Sequence, residues 1–371
     1  PVFGAFFMEI TILCKVVDNF GDIGVVWRLC KRLKEIDSEL KINLIVDDLF
    51  SFNKICSGIQ DNKDVQSYMG IDIYDWKRDD FCYQTFIKND GEKLSVILEC
   101  FQCGRPDWME KILFEDKLSR IVNIIMIDYL TAEKYAEDFH CLKSLTRSAK
   151  VQKVNFMPGF TDKTGGLILD KEWEKQVPRN ALGPCLVFTY ERNWKPLAKV
   201  LNQFDFTVEL AQGRGFDSFK NAWNDLAEKK SSLKELPFMN QEEWDKVMKE
   251  CSLLFIRGEE SMSRACLSGI PFVWHAYPQS DEYQLVKVNA LLDRMKEFFD
   301  EEAFLIVKRV WLDFNSPEEM ISDENFEKDL EDFIKNRNSL STCFENFAKA
   351  LRKNGDLGAN LMTFIRKIAI I

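Results

Sequence analysis

Two aspartates on one short turn are the first side chains in the chain whose types and spacing could do chemistry. Asp18 and Asp22 follow an apolar run, and Gly21 and Gly24 are expected to permit unusual backbone angles and close approach of a ligand. In sugar transfer with inversion, a carboxylate can take the acceptor's proton and offset positive charge developing on the sugar. The alternative is that Asp22 only caps the helix that follows.

A second polar turn, Arg257-Gly258-Glu259-Glu260-Ser261, is predicted between a strand and a helix. The free N–H groups of a helix start, a guanidinium and a serine hydroxyl all suit a diphosphate. Glu259 and Glu260 would repel phosphate, so they are better suited to accept hydrogen bonds from sugar or ribose hydroxyls. A capping cluster with a solvated charge pair is the competing interpretation.

An aromatic strand end follows the second turn. Phe272 and Trp274 are expected to pack in the core, and Tyr277 lies just beyond the strand, where a ligand contact is expected. His275 has no serine or cysteine elbow to pair with, which favours a structural role.

The elements that must position these turns alternate between strands and helices. The first strand run begins at Ile10, and the helix after it has Val25, Val26, Leu29 and Leu33 on an apolar face, with Arg28 among its polar residues. Further buried strands are predicted at 44–46, 95–98, 121–125, 186–190, 206–210, 253–256 and 271–274. This alternation is typical of α/β domains with parallel sheets.

Turn signals between Pro158 and Pro184 predict an inter-domain link. We therefore expect two Rossmann-like domains, 8–165 and 181–356, facing a central cleft, with a C-terminal helix at 357–371 packing back on the first. Ligands of such sheets bind outside the carboxyl ends of the strands. Met8 is expected to be the native start, with residues 1–7 an upstream extension.

Composition narrows the class of function. Of 371 residues, 50 are Lys or Arg and 60 are Asp or Glu, so the formal charge of −10 disfavours a nucleic-acid partner. The 11 cysteines have no framework spacing, and with 2 histidines a metal site is not expected. No apolar run is long enough to predict a membrane helix, and a cytoplasmic location is expected.

Two blocks of the sequence resemble one known family. Asp18 to Val25 with Trp27-Arg28-Leu29 resembles the N-terminal signature of the EarP family, protein-arginine rhamnosyltransferases of translation elongation factor P. The turn at 257–261, followed by 271–275 and 277–279, resembles the C-terminal signature of that family. Either block alone would be weak evidence, whereas the two together are specific.

The resemblance implies a GT-B fold and a reaction. The donor would be TDP-β-L-rhamnose, and L-rhamnose would pass with inversion to an arginine in the N-terminal domain of elongation factor P. The modified factor would then rescue ribosomes stalled at proline runs. No cofactor or metal is expected, because side chains and helix dipoles usually neutralise the diphosphate in this fold.

The resemblance also implies residue roles. Asp22 would be the general base, Asp18 would orient the acceptor or hold the loop, and Glu259 would be a third essential carboxylate. Donor binding would involve Asn19, Phe20, Gly21, Tyr190, Arg257, Glu260, Ser261 and Tyr277, with Phe238 and Gln241 holding the thymine. The chain departs from the family at Glu260, where the family usually has aspartate.

One physical difficulty and several alternatives accompany this hypothesis. The pKa of arginine is above about 12 and that of aspartate near about 4, so a carboxylate cannot deprotonate the guanidinium in advance. Carboxylates would instead fix and polarise it while the bond forms.

Alternatives are a GT-B transferase or epimerase acting on a small molecule or glycan, and a non-catalytic nucleotide-sugar-binding module. A NAD-dependent dehydrogenase is disfavoured because G-x-G-x-x-G is absent.

Overall fold

A computed structural model describes residues 8–17, 20–116 and 118–369. The predictions for residues 1–7 concern a segment outside the described residues. The chain forms two compact units. Unit 1 extends through Glu174 and also includes the segment from Asn354 onward, whereas unit 2 comprises Lys175–Lys353.

Unit 1 is built on a sheet of eight strands within the described residues, in the order β3-β4-β2-β1-β5-β6-β8-β7. The strands are β1 (Glu9–Cys14), β2 (Lys41–Val46), β3 (Val65–Tyr68), β4 (Ile71–Asp75), β5 (Val96–Cys100), β6 (Val122–Ile127), β7 (Lys143–Ser144) and β8 (Val151–Phe156). The six inner strands are parallel, and the edge strands β3 and β7 pair antiparallel to their neighbours. Because β1 lies between β2 and β5, the turn after β1 leaves from the middle of the sheet.

Helices connect these strands and cover the sheet. They are α1 (Gly21–Ile36), α2 (Leu49–Ile55), α3 (Asp79–Phe86), α4 (Lys88–Gly91), α5 (Asp107–Phe114), α6 (Tyr135–Phe139) and, after the second unit, α14 (Leu357–Ala369). The apolar face of α1 is buried as its spacing predicts, with Val26, Leu29 and Leu33 at 1% exposure or less.

Arg28, one of the polar residues of α1, is buried rather than exposed. Its side chain is buried and its Nη1 lies 2.6 Å from Asp170 Oδ2. A buried guanidinium is tolerated when a carboxylate pairs with it, because the pair avoids an uncompensated charge. The partner lies far along the chain, so helical periodicity alone could not reveal the pairing.

Unit 2 contains a second parallel sheet, in the order β11-β10-β9-β12-β13. Its strands are β9 (Cys185–Val187), β10 (Thr207–Leu210), β11 (Ser232–Glu235), β12 (Leu253–Arg257) and β13 (Phe272–His275). Its helices are α7 (Lys195–Leu201), α8 (Phe216–Asn224), α9 (Gln241–Glu250), α10 (Glu259–Ser268), α11 (Tyr283–Met295), α12 (Glu301–Asn315) and α13 (Asp323–Lys353).

α10 ends at a glycine that is followed two residues later by a proline, a common way for a helix to stop. Gly269 has a φ of 73° at the C-cap, in the left-handed region that favours glycine, and Pro271 stands before the next strand. The strand predicted at 186–190 is shorter than expected. β9 ends at Val187, which leaves Tyr190 in the loop before α7.

Among the described residues, no helix combines the length and the apolar composition that crossing a bilayer requires.

Candidate active site

Asp22 lies in the first turn of α1 and is buried, with 3% of its surface exposed. Its Oδ2 accepts a hydrogen bond of 2.8 Å from the backbone N–H of Val17, so the carboxylate closes the turn that carries it. The N-cap position belongs to Phe20, which makes no side-chain cap. Asp22 therefore does not act only at the helix start, because it also bonds the backbone of Val17 in the segment between β1 and α1.

The rest of this turn is partly outside the described residues, which exclude Asp18 and Asn19. Phe20 is 36% exposed, and Gly21 is an exposed residue at the start of α1. The expectation of unusual backbone angles at Gly21 and Gly24 is wrong, because neither has a positive φ and both lie in the first turns of α1. Gly21 is exposed and has no side chain, which still permits close approach at the helix start, whereas Gly24 is buried.

In unit 2, the loops after β9 and β13 come together around His275. Its Nδ1 accepts the backbone N–H of Tyr190 at 3.1 Å, and its ring contacts that of Tyr190 at a centroid distance of 5.2 Å. Tyr190 in turn meets Tyr277 edge to face at 5.4 Å. The structure thus brings together two of the predicted donor residues, Tyr190 and Tyr277.

His275 is a buried, neutral histidine. Burial, followed by the nearby charges of Arg192 and Arg257, lowers the pKa of His275 to about 3. Its Nδ1 is occupied by the Tyr190 N–H, which places the remaining ring proton on Nε2. The predicted structural role is confirmed, as is the burial of Phe272 and Trp274 in the core.

Arg257 ends β12 and lies against two aromatic rings. The carbon of its guanidinium is 4.4 Å from the ring centre of Phe188 and 4.8 Å from that of Tyr190. Its Nε is buried and has no hydrogen-bond partner within the part of the chain that is described. A guanidinium held in place by stacking, with a buried donor still unused, is suited to receive a phosphate oxygen.

Gly258 separates Arg257 from α10 and is the residue at this turn whose conformation requires glycine. Its φ and ψ are 76° and 149°, and a Cβ there would meet no heavy atom within 4 Å. The first turn of α10 therefore faces open space on this side. The start of a helix turns its first N–H groups and its positive dipole end toward an anion.

The carboxylates that follow Gly258 lie beside basic side chains. Glu259 Oε1 is 3.5 Å from Lys287 Nζ, and Glu260 Oε1 is 3.8 Å from Arg264 Nε. These neighbours offset part of the repulsion that two carboxylates would exert on a diphosphate. Ser261 is buried at 8% exposure in the same turn of α10.

The predicted thymine contacts follow β11. Phe238 is 48% exposed in the loop before α9, and Gln241 is the first residue of that helix. Asn240 and Glu243 form a reciprocal capping box around Gln241, which fixes the helix start. The exposed ring of Phe238 and the first residue of α9 thus lie on the edge where β11 ends.

A loop that the sequence analysis missed borders the same edge. It is Gly213-Arg214-Gly215, directly before α8, and a Cβ on Gly213 would come within 3.0 Å of Arg257 Nη2. The guanidinium carbon of Arg214 is 5.6 Å from the ring centre of Tyr277. The sequence pattern that could have revealed this loop is an arginine between two glycines, soon after the predicted strand at 206–210.

No three His, Cys, Asp or Glu side chains of the described residues form a group that could hold a metal ion.

A family model for "Elongation-Factor P (EF-P) rhamnosyltransferase EarP" matches residues 10–366 of the chain. The chain belongs to the EarP family. The match spans both units, including the turns after β1 and β12. The resemblance inferred from those two turns is therefore confirmed.

A curated relative agrees with EarP family membership, and a solved structure agrees with the fold. The protein-arginine rhamnosyltransferase of Shewanella oneidensis is 30% identical over 322 residues, which cover 76% of this chain and 79% of the relative. A structure of EarP, solved to explain arginine glycosylation of elongation factor EF-P, aligns with a TM-score of 0.60 at 18% identity, covering 96% and 98% of the two chains.

A more distant neighbour is MurG of Acinetobacter baumannii, with a TM-score of 0.50 at 12% identity over 97% of this chain and 99% of MurG. At these identities the structures support the fold alone. The fold is the GT-B glycosyltransferase fold, as predicted.

Proposed function

We propose that this protein is an inverting glycosyltransferase that moves L-rhamnose from TDP-β-L-rhamnose to an arginine in the N-terminal domain of elongation factor P. Family membership supports the reaction class. The arrangement of Arg257 carries the assignment of donor binding to unit 2. A cytoplasmic location is part of the proposal, because the acceptor acts on ribosomes.

Donor binding is proposed to centre on the end of β12. Among the described residues, nothing accepts a hydrogen bond from the buried Nε of Arg257, and the opening beside Gly258 leads to the start of α10. A diphosphate placed there would receive a charge-assisted hydrogen bond and the N–H groups of the helix. Ser261 and Tyr277 would add hydroxyl contacts, and Glu260 would accept from a hydroxyl of the donor.

The nucleoside end of the donor would extend toward the loop after β11. Phe238 would stack on the thymine, and Gln241 would hydrogen-bond its edge. The ring of Phe238 is sufficiently exposed for stacking. Tyr190, fixed through its backbone by His275, would contact the donor between these two ends.

The acceptor is assigned to the turn after β1. Asp22 is held by the Val17 N–H, which restrains the carboxylate and lowers the entropy lost on orienting a substrate. We propose that Asp22 fixes and polarises the acceptor guanidinium and takes its proton as the C–N bond forms and the bond to the diphosphate breaks. Asp18 would orient the acceptor, and Asn19, Phe20 and Gly21 would border the donor sugar.

Glu259 is proposed as the third carboxylate of the reaction. It opens α10, beside the proposed diphosphate position, and lies 3.5 Å from Lys287 Nζ. There it would accept a sugar hydroxyl and stabilise the positive charge that develops on the sugar ring.

Reconstitution with purified components tests the proposal. This protein is incubated with TDP-β-L-rhamnose and elongation factor P from the same host, and the factor is analysed by intact mass. The expected result is a gain of one deoxyhexose, absent when the target arginine is replaced by lysine. An unmodified factor would overturn the acceptor assignment, and TDP binding measured in parallel would show whether the donor assignment survives.

A further inference from the structure

Two aromatic side chains lie stacked where neighbouring strands of unit 1 end. Phe101 directly follows β5, and Tyr129 follows β6 after one intervening residue. Their ring centres are 4.6 Å apart and the planes differ by 20°. Tyr129 is 36% exposed and Phe101 is half-buried, so part of the pair remains accessible.

The loop that carries Phe101 is held in a strained conformation. Phe101 and Gln102 have φ values of 57° and 53°, in the left-handed region that costs an ordinary residue about 1 kcal/mol or more. The Phe101 N–H donates to Ile127 O at 2.7 Å, and Gln102 Nε2 donates to Asp128 Oδ2 at 3.1 Å. Strain of this kind persists where the surroundings enforce it, and it concentrates at functional sites.

The far end of the loop is anchored by charge. Arg105 forms an ion pair with the buried Glu99 of β5, and its Nε lies 2.5 Å from Glu110 Oε1. The loop between β5 and α5, residues 101–106, is thus fixed near both ends. Ile127 and Asp128 bond its first residues, and Glu99 and Glu110 pair with Arg105.

This aromatic pair lies on the same edge of the sheet as the turn of Asp22. β5 is the direct neighbour of β1, and Cys103 Sγ is 3.7 Å from Leu13 O.

The chemistry of the pair fits a planar cation. Guanidinium groups stack on aromatic faces more readily than ammonium groups do, and a nearby carboxylate strengthens the attraction. Asp128, between β6 and Tyr129, supplies that carboxylate, and its position is fixed by Gln102 and by the Tyr129 N–H at 2.8 Å.

We propose that Phe101, Tyr129 and Asp128 form a recognition site for the acceptor arginine, whose guanidinium stacks on the aromatic pair before it reaches Asp22. The inference rests on the proposed function, because it names the side chain that unit 1 would receive. It adds a specificity-determining element, since lysine lacks the planar face that stacking requires.

The test measures the KM of the acceptor and of the donor separately. Phe101→Leu and Tyr129→Leu keep an apolar side chain but remove the aromatic face, and each should raise the acceptor KM about 3- to 30-fold. The donor KM and the melting temperature should stay near the wild-type values. Tyr129→Phe, which keeps the face, should restore the acceptor KM.

A small cation provides a second measurement. Methylguanidinium should inhibit the wild-type protein competitively with the acceptor, and Phe101→Leu should weaken that inhibition. Phe81→Leu is the matched control, because Phe81 is an aromatic residue of unit 1 that is 50% exposed on α3. Its acceptor KM should not change.

Each alternative outcome has one meaning. If both leucine variants keep the wild-type acceptor KM, the recognition site is wrong while the proposed function stands. An equal rise in the donor KM, or a fall in melting temperature that accounts for the loss, would show a structural role and overturn the inference. If the wild-type protein fails to modify elongation factor P while binding TDP, the proposed function fails, and this inference with it.

Discussion

The turn after β1 in unit 1 and the turn after β12 in unit 2 are matched in position but differ in chemistry. Each follows an interior strand of a parallel sheet and leads into a helix. The first is closed by a carboxylate that accepts a backbone N–H, Asp22 to Val17. The second carries a guanidinium held between rings, Arg257 with Phe188 and Tyr190.

In the proposed function, one strand–turn–helix unit, used twice, serves the two halves of a reaction. A buried carboxylate suits a cationic acceptor, whereas a stacked guanidinium beside an open helix start suits an anionic donor. The strand–turn–helix geometry supplies the position in both cases. The side chains at the turn decide which charge it receives.

The largest expected effect is a loss of turnover without a loss of donor affinity when the turn of unit 1 is changed. Asp22→Asn should lower turnover by roughly 10²- to 10⁴-fold, the range typical of removing a general base. The affinity for TDP, measured by calorimetry, should not change, because the asparagine oxygen can still accept the Val17 N–H and preserve the turn.

Asp47→Asn is the matched control for Asp22→Asn. Asp47 Oδ1 accepts the N–H of Val16 at 2.7 Å, so it holds the neighbouring residue of the same segment by the same kind of bond. Its turnover should stay close to the wild-type value. Normal turnover in Asp22→Asn would show that the carboxylate only maintains the loop.

A second substitution addresses the turn of unit 2. Arg257→Lys keeps the charge but removes the planar group that stacks on Phe188 and Tyr190, and it should weaken TDP binding about 10- to 100-fold. Binding of thymidine, which lacks the diphosphate, should remain unchanged. Calorimetry with both ligands measures the difference.

Arg309→Lys is the control for Arg257→Lys within unit 2. Arg309 forms an ion pair with Asp329 at 3.1 Å and has no proposed role in donor binding. An equal loss of TDP and thymidine affinity in Arg257→Lys would contradict the assignment of Arg257 to the diphosphate and point to a collapsed site.

The smallest expected effect is on the pH dependence of stability, to which the two histidines of the chain, one in each unit, contribute. His275 Nδ1 accepts the Tyr190 N–H and His140 Nδ1 accepts the Met157 N–H, both at 3.1 Å. Burial lowers the pKa of both side chains, that of His275 to about 3. Between that value and about 6.5, the unfolded chain binds a proton that the folded His275 does not, so stability falls as the pH is lowered.

His275→Gln should therefore lose less thermal stability than the wild-type protein when the pH falls from 7 to 4. The glutamine oxygen can accept the Tyr190 N–H but does not titrate in this range. His140→Gln is the comparison in unit 1, and its effect should be smaller because His140 is only half-buried. If the melting temperatures of the wild-type protein and of His275→Gln fall equally between pH 7 and pH 4, His275 is not a buried neutral side chain.

Local patterns determined much of what the sequence could predict. The apolar runs of β1, β5 and β12, the helical spacing of α1 and the glycine stop of α10 depend on neighbours along the chain. The side chains at 18–22 and 257–261 could be selected from their types, since few combinations of charge and glycine suit a sugar and a diphosphate.

Only the tertiary structure decided the contacts between remote residues. Arg28 with Asp170, His275 with Tyr190 and Arg214 with Tyr277 join positions far apart in the chain. Such pairs leave no local periodicity, because they depend on which strands become neighbours in a sheet and on which loops then share an edge. The sequence by itself therefore determined the elements and the chemistry at their turns, whereas packing determined which side chains meet.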